Sequence, residues 1–247
     1  MGKRVAQQGR FGMSKFLFDV DGTLTPSRCT MNPGFAGWFT EFAQNNDVYL
    51  VTGSDYPKTV EQVGHRICNT VKRVYNCSGN DVYERGVQIH FQHWQMPPEQ
   101  YQWLQEQMDQ SEFELRTGQH FEHRTGTVNF SVVGRGADAE QRELYVKWDK
   151  QTKERTSIAK QFEKLFPGFT ASVGGDTGID IYPNGMDKSQ VLADFAEDDV
   201  IYFFGDKTSP GGNDFPIAKE LENVYNVQSW QETYNRLLLM KVMGLIQ

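Results

Sequence analysis

The apolar run Phe16-Leu17-Phe18 passes directly into Asp19-Val20-Asp21-Gly22-Thr23, so two carboxylates and a glycine turn stand where a buried strand should end. Residues two apart in a strand point the same way, so Asp19 and Asp21 converge on one ligand only while the chain stays extended. Gly22 lets it turn instead, and Asp21 can lean over whatever Asp19 holds. Two close carboxylates call for a cation, and hard oxygen ligands suit magnesium. An Asp-Gly pair can also close a hairpin, but Thr25-Pro26-Ser27 offers a loop rather than a second strand.

The residues that follow alternate between strand and helix patterns. A helical stretch runs from Asn32-Pro33 through Phe35, Trp38, Phe39 and Phe42, with apolar residues three and four apart. Val48 to Val51 reads as a second strand ending at Thr52-Gly53-Ser54-Asp55, then Pro57 and Val60 to Ile67 as one helix and Val71 to Tyr75 as a third strand. Alternation of this kind implies parallel strands joined by crossover helices, with ligands collecting at the carboxyl ends of the strands.

Beyond about Asp81 the texture changes. Val87, Ile89 and Phe91 alternate with polar residues as in a half-buried strand; Pro97 to Ser111 is a Gln-rich helix; Glu140 to Leu165 is a charged helix between strands at Thr127 to Val133 and Phe169 to Val173. After a strand at Ile179 to Pro183, a helix starting at Asn184 and running through Leu192 and Phe195 leads to Val200 to Phe204, a continuous apolar strand ending at Gly205-Asp206. The reading is an α/β protein: a parallel-sheet core over residues 14–84 and 185–247, an inserted α+β domain over 85–184, and an N-terminal tail over 1–13.

The 247 residues carry a formal charge of −7, which opposes a nucleic-acid partner because phosphate-backbone binding needs a basic face. Cys29, Cys68 and Cys77 have no CxxC spacing and suggest neither a disulfide framework nor a zinc site. No apolar stretch approaches the roughly 20 residues that span a bilayer, so no membrane partner is expected and the location expected is cytoplasmic. The aromatic side chains and the five histidines have the spacing of packing and surface residues rather than of metal ligands.

Four segments place polar groups at one sheet edge: Asp19 with Asp21; Thr52 with Ser54; Lys188; and Asp206 with Asn213 and Asp214. Attack on a phosphoryl group needs an in-line oxygen nucleophile and positive charge around the equatorial oxygens. Asp19 suits the first requirement, and Lys188, a magnesium ion and the Thr52 or Ser54 hydroxyl suit the second.

These four segments closely resemble the motifs of the haloacid-dehalogenase (HAD) superfamily, and within it Phe18 to Thr25 with Arg28, and Ile201 to Thr208 with Pro210-Gly211-Gly212-Asn213-Asp214, resemble the eukaryotic-type phosphomannomutases. The segment Arg124 to Asn129, then Gly134-Arg135 and Glu140-Gln141-Arg142, resembles that family's cap domain. The resemblance implies a HAD-like Rossmannoid core with an α+β cap that closes over a hexose phosphate. It implies Asp19 as nucleophile and Asp21 as acid and base; magnesium on Asp19, Asp206 and the backbone carbonyl of Asp21; and the transferring phosphate on Thr52, Ser54 and Lys188. The distal phosphate would fall to Arg28, Arg124, Arg135 and Arg142, with Asn129 and Asp180 near the sugar and phosphate. It further implies interconversion of mannose 6-phosphate and mannose 1-phosphate through an aspartyl-phosphate, a hexose 1,6-bisphosphate activator, and a homodimer through the cap.

Two departures keep an alternative open. Where the family usually has Ser-Phe-Asp this chain has Gly178-Ile179-Asp180, and where it commonly has Gly-Gly-Ser-Asp this chain has Thr52-Gly53-Ser54-Asp55. A HAD-type sugar-phosphate phosphatase is therefore the second reading. A non-catalytic sugar-phosphate binding protein is the third, opposed by the intact Asp19, Asp21, Lys188 and Asp206.

Overall fold

The computed structural model describes residues 14–246; the N-terminal tail expected over residues 1–13 lies outside them. The described residues divide into two compact units, residues 14–89 with 188–246, and residues 90–187.

In the first unit, β1 (Lys15–Phe18) is followed by α1 (Pro33–Asn45), β2 (Asp47–Val51), α2 (Tyr56–Val63), α3 (His65–Thr70) and β3 (Arg73–Asn76). Strands β4 (Asp81–Glu84) and β5 (Val87–Phe91) complete that side of the sheet. The chain returns after residue 187 through a 3-10 segment, Lys188–Asp194, into β10 (Ile201–Gly205), α7 (Phe215–Ala218), β11 (Asn223–Asn226) and α8 (Trp230–Val242). The seven strands lie in the order β11-β10-β1-β2-β3-β4-β5. The pairs from β11 to β3 are parallel, and β3 with β4 is antiparallel.

This order puts a topological switch at β1. The chain leaves β1 toward β2 on one side, while β10 pairs with it on the other, Phe18 opposite Phe204. Two strand ends with diverging connections open a crevice, and at this one Asp19 and Asp206 emerge next to each other.

Strand β1 is apolar because helices or loops cover both of its faces. Phe16 and Phe18 pack with Phe39 and Phe42 of α1 and Leu237 and Met240 of α8; Leu17 on the other face joins Val51, Tyr75, Phe203 and Ile217. Phe18 stacks on Phe204 with ring centroids 4.8 Å apart and meets Phe39 edge-on at 5.2 Å. Asn32 caps α1 by accepting from the Gly34 and Phe35 amides, with Pro33 at the first turn where no amide is missed. Asp55 caps α2 in the same way through Lys58 N.

The second unit is a four-stranded antiparallel sheet, order β6-β7-β9-β8, built from β6 (Phe121–Arg124), β7 (Thr127–Phe130), β8 (Phe169–Gly174) and β9 (Gly178–Pro183). Three helices, α4 (Pro98–Gln110), α5 (Ala139–Thr152) and α6 (Glu154–Leu165), pack on one face of it. Alternation divides the strands: Val128, Phe130, Ile179 and Ile181 join the helices' Leu104, Tyr145, Ile158 and Phe162, while Glu122, Arg124, Asn129 and Asp180 belong to the opposite face.

Several local expectations fail; the helix expected from Asn184 through Phe195 is a 3-10 segment, Lys188–Asp194, and three others fail for physical reasons. The helix expected over Val60 to Ile67 is broken at Gly64, whose φ of +85° separates α2 from α3. The charged helix expected over Glu140 to Leu165 is broken at Lys153, which takes a left-handed φ of +58° between α5 and α6. Strand β5 is not half-buried but exposed along its whole length, Val87 by 64%, because it is the last strand in the sheet order. Alternation there reports the pleat and not a covered face.

Left-handed backbone costs a lysine roughly 1–2 kcal/mol that glycine does not incur. Lys153→Gly should therefore raise stability by up to about 1 kcal/mol after glycine's own entropy cost, read as a higher urea midpoint. Lys153→Val should lower it.

Candidate active site

The turn after β1 is held by backbone bonds. Asp19 N donates to Phe204 O at 2.9 Å, and Leu24 N and Thr25 N both donate to Val20 O. Gly22 sits at φ +78°, where an L side chain is strained, and a Cβ there would meet the carboxylate of Asp206. The glycine thus serves twice: it turns the chain, and it leaves the gap through which the β10 loop brings Asp206 up to Asp19.

Asp19 is buried, 3% exposed, and Lys188 is 1% exposed. The ammonium of Lys188 donates to Asp19 Oδ1 at 2.5 Å and to Asp214 Oδ1 at 2.6 Å. Asp214 is fully buried, and its other oxygen accepts from the Lys207 amide at 3.1 Å. Thr23 Oγ1 donates to Asp19 Oδ2 at 3.4 Å.

Asp19, Asp206 and Asp214 each offer an oxygen within 4.8 Å of the others. Burial, reinforced by the negative charge of Asp214, raises Asp206 above the usual carboxylate range. Burial raises Asp19 as well, to about 7, against the pull of Lys188. Burial also opposes the charge on Lys188, but Asp19 and Asp214 outweigh it and its pKa rises. Three carboxylates converge, and the buried ammonium bridges two of them. That excess of hard, negative oxygen fits a magnesium ion.

The carboxylate of Asp21 stands outside this group, leaving its backbone carbonyl as its candidate metal ligand. Its Oδ1 accepts from Arg28 N at 2.6 Å and from Gln62 Nε2 at 2.8 Å. Gln62 is buried, also donates to Thr25 Oγ1 at 3.3 Å, and has no partner for its Oε1 among the described residues. Arg28 meets Asp21 through its backbone, from an exposed position at φ +60°. Thr52 is buried at the end of β2, and its hydroxyl accepts from Ser54 N at 3.1 Å. The Ser78 and Cys77 amides close this turn by donating to Thr52 O and Ser54 O.

In the second unit, Glu122, Asn129, Asp180 and Ser172 occupy one row of paired positions across the four strands. Asn129 Nδ2 donates to Asp180 Oδ1 at 2.8 Å, and Arg135 Nη1 donates to Asn129 Oδ1 at 3.3 Å. Arg124 Nη1 lies 3.7 Å from Asp180 Oδ1. Arg142 turns back onto the chain, its Nε donating to Ala137 O at 3.0 Å.

Gly178 and Gly174 are paired in the sheet and form the floor of this cluster. A Cβ on Gly178 would collide with the Asn129 carboxamide, and one on Gly174 would lie 2.8 Å from Asp180 Oδ2. A serine at 178 would thus compete with Asn129 for its place. Buried Arg155, paired with Asp149 at 2.9 Å, secures the floor by donating to the carbonyls of Gly174, Gly175 and Gly178.

Comparison with known proteins decides the lineage. The model of the eukaryotic phosphomannomutase family matches residues 36–242. The phosphomannomutase of Saccharomyces cerevisiae is 32% identical over 229 residues, which cover 88% of this chain and 90% of that protein. Phosphomannomutase 1 of Homo sapiens is 32% identical over 234 residues, covering 89% of each. The chain belongs to the eukaryotic phosphomannomutase family. Solved structures agree on the HAD-like fold. A haloacid dehalogenase-like hydrolase from Bacteroides thetaiotaomicron superposes with a TM-score of 0.57 at 11% identity, covering 92% of this chain and 99% of that one. An IMP-nucleotidase of Plasmodium falciparum gives 0.60 at 16% identity, covering 94% of this chain and 68% of that one.

Two participants escaped the sequence reading as site components: Gln62, on the far side of a helix from the second motif, and Glu122. The signal for Gln62 was a polar residue next to Val63 within the helical pattern from Val60 to Ile67, on a buried face that also carries Thr59; the signal for Glu122 was its i, i+2 spacing to Arg124.

The raised Asp19 yields a test with a definite sign. The folded state keeps the Asp19 proton to about 7, whereas the unfolded chain releases it near 3.8. Its contribution is therefore retained below 3.8 and lost as pH rises to 7. With chelator present, Asp19→Asn should gain stability relative to the parent between pH 4 and pH 7, by about 1 kcal/mol per pH unit, then level off. A difference flat with pH, measured by urea unfolding, would contradict it.

Proposed function

We propose that this protein is a magnesium-dependent phosphomannomutase interconverting mannose 6-phosphate and mannose 1-phosphate, with Asp19 as the phosphoryl carrier. The observation that carries the reading is the buried Asp19–Lys188–Asp214 chain with Asp206 alongside, in a member of the eukaryotic phosphomannomutase family.

In this reading, Asp19 attacks phosphorus in line with the sugar oxygen; the phosphorus–sugar oxygen bond breaks as the aspartyl–phosphate bond forms. Asp21 gives its proton to the departing sugar oxygen. In the reverse half, Asp21 takes the proton of an incoming hydroxyl, which then receives the phosphoryl group. The bond network of Asp21 supports the division of labour: Gln62 and the Arg28 amide orient a carboxylate that is not tied to Lys188. Lys188, the Thr52 hydroxyl and the Ser54 hydroxyl hold the phosphoryl oxygens. Magnesium on Asp19, Asp206 and Asp214, with the Asp21 carbonyl, would neutralise charge on the phosphate during transfer.

A mutase has to anchor a second phosphate, and two guanidinium groups beside Asn129 and Asp180 support that requirement. Arg124 and Arg135 take the distal phosphate, and Arg28 and Arg142 are further candidates for it. The hexose 1,6-bisphosphate then binds in either orientation, primes the carrier, and is regenerated in each cycle. Cytoplasmic location and a homodimer through the second unit complete the proposal; among the described residues no helix is long and apolar enough to cross a membrane.

Incubation of the purified protein with mannose 1-phosphate, magnesium and glucose 1,6-bisphosphate should yield mannose 6-phosphate, at a rate that drops steeply when the bisphosphate is omitted. Asp19→Asn should reduce turnover by more than 10³-fold. Release of inorganic phosphate without isomer would replace the mutase by a sugar-phosphate phosphatase.

A further inference from the structure

Arg124 and Arg135 already hold a carboxylate. Arg124 Nε donates to Glu122 Oε1 and its Nη2 to Glu122 Oε2, both at 3.1 Å, the side-on fork that a phosphate also receives. Arg135 Nη2 reaches Glu122 Oε2 at 2.5 Å. Asp180 lies beside Arg124, and Asn129 lies between Asp180 and Arg135, so the two guanidinium groups stand among two carboxylates. Each of the four charged side chains is about a third exposed, 38% for Glu122 and Arg124, 36% for Arg135 and 32% for Asp180. A solvent-borne anion therefore reaches them without local unfolding.

We propose that Glu122 is the resident counter-ion of the distal-phosphate subsite: it holds Arg124 and Arg135 in a phosphate-ready fork, cancels part of their charge, and thereby limits how tightly a hexose phosphate dianion is held. The inference rests on the mutase reading for its purpose. An intermediate with two phosphates must let go of this subsite and return reversed. A pair of unopposed arginines would hold a dianion firmly and slow that exchange, whereas a fork that already carries a carboxylate trades one anion for another.

Glu122→Gln keeps the shape and removes the charge. A unit charge a few ångström from a dianion, in water-like surroundings and at physiological salt, changes binding by roughly three- to tenfold. Calorimetric titration of the full chain with glucose 1,6-bisphosphate should show binding that much tighter in Glu122→Gln. Steady-state assays should show a lower KM for mannose 1-phosphate together with a lower kcat, because release slows. Glu122→Asp, which keeps the charge, should not tighten binding. Glu122→Ala makes the same charge change by another route and serves if the glutamine variant does not fold.

Unchanged or weaker binding in both charge-removing variants would overturn the inference and leave Glu122 as a scaffold for the two arginines. Failure of the parent protein to isomerise would instead sink the mutase reading, while the bisphosphate titration would still decide whether Glu122 opposes phosphate. No binding of the bisphosphate by the parent would overturn both.

Discussion

The buried ion pair between Lys188 and Asp19 is the constraint around which the first unit is organised. An ammonium with 1% exposure and a carboxylate with 3% would each be costly to bury alone. Lys188 is tolerated because it answers two carboxylates at once, and Asp214 because it answers both Lys188 and the Lys207 amide. Asp19 gains the least from this arrangement and stays poised near neutrality. A group in that state can give up its proton in favour of a cation near neutral pH, which supports the proposed role of Asp19 as carrier. The apolar strands β1 and β10 supply the rigid frame, since parallel pairing of Phe18 with Phe204 fixes where both acidic loops begin.

Much of this was legible from residue order because parallel α/β sheets put chemistry at strand ends. Asp19, Thr52 and Asp206 each follow an apolar run, so their convergence needs only strand adjacency. Lys188 and Asp214 were visible as polar groups in the right segments, but their ion pair was not, since it depends on a 3-10 segment folding back rather than on the helix expected from Asn184. Helix breaks were hidden for a different reason. Periodicity continues across Gly64 and Lys153 because the helices on either side bury faces against the same neighbours, and one left-handed residue resets direction without disturbing the pattern. Strand β5 shows the converse, an alternating pattern with no covered face.

The second unit was harder to read because the sheet face opposite its helices carries charge, and charge on a strand says little about partners. Arg124 and Arg135 stood out as cations in an acidic protein. What the residue order did not disclose is that Glu122 and Asp180 neutralise them locally, through pairing across β6, β7 and β9. The replacement of an expected serine by Gly178 likewise looked like a loss. In three dimensions it is an accommodation, because Asn129 lies over the position that a serine side chain would take.

The two clusters proposed to hold phosphate are thus built on opposite electrostatic terms. Around Asp19, carboxylates outnumber the buried ammonium, and in the proposed reading an added cation offsets that charge as a phosphate dianion approaches. Around Arg124 and Arg135, the cations are already balanced by carboxylates in partly exposed positions, where each pairing is worth little on its own. On the reading proposed above, the first arrangement makes phosphoryl chemistry depend on magnesium, and the second makes phosphate holding reversible. A phosphatase has use for the first alone, because its product leaves and does not return. A site that must release a bisphosphate intermediate and accept it back with the ends exchanged has use for both, and the pairing of a demanding carrier with a forgiving anchor is the physical argument that favours isomerisation over hydrolysis here.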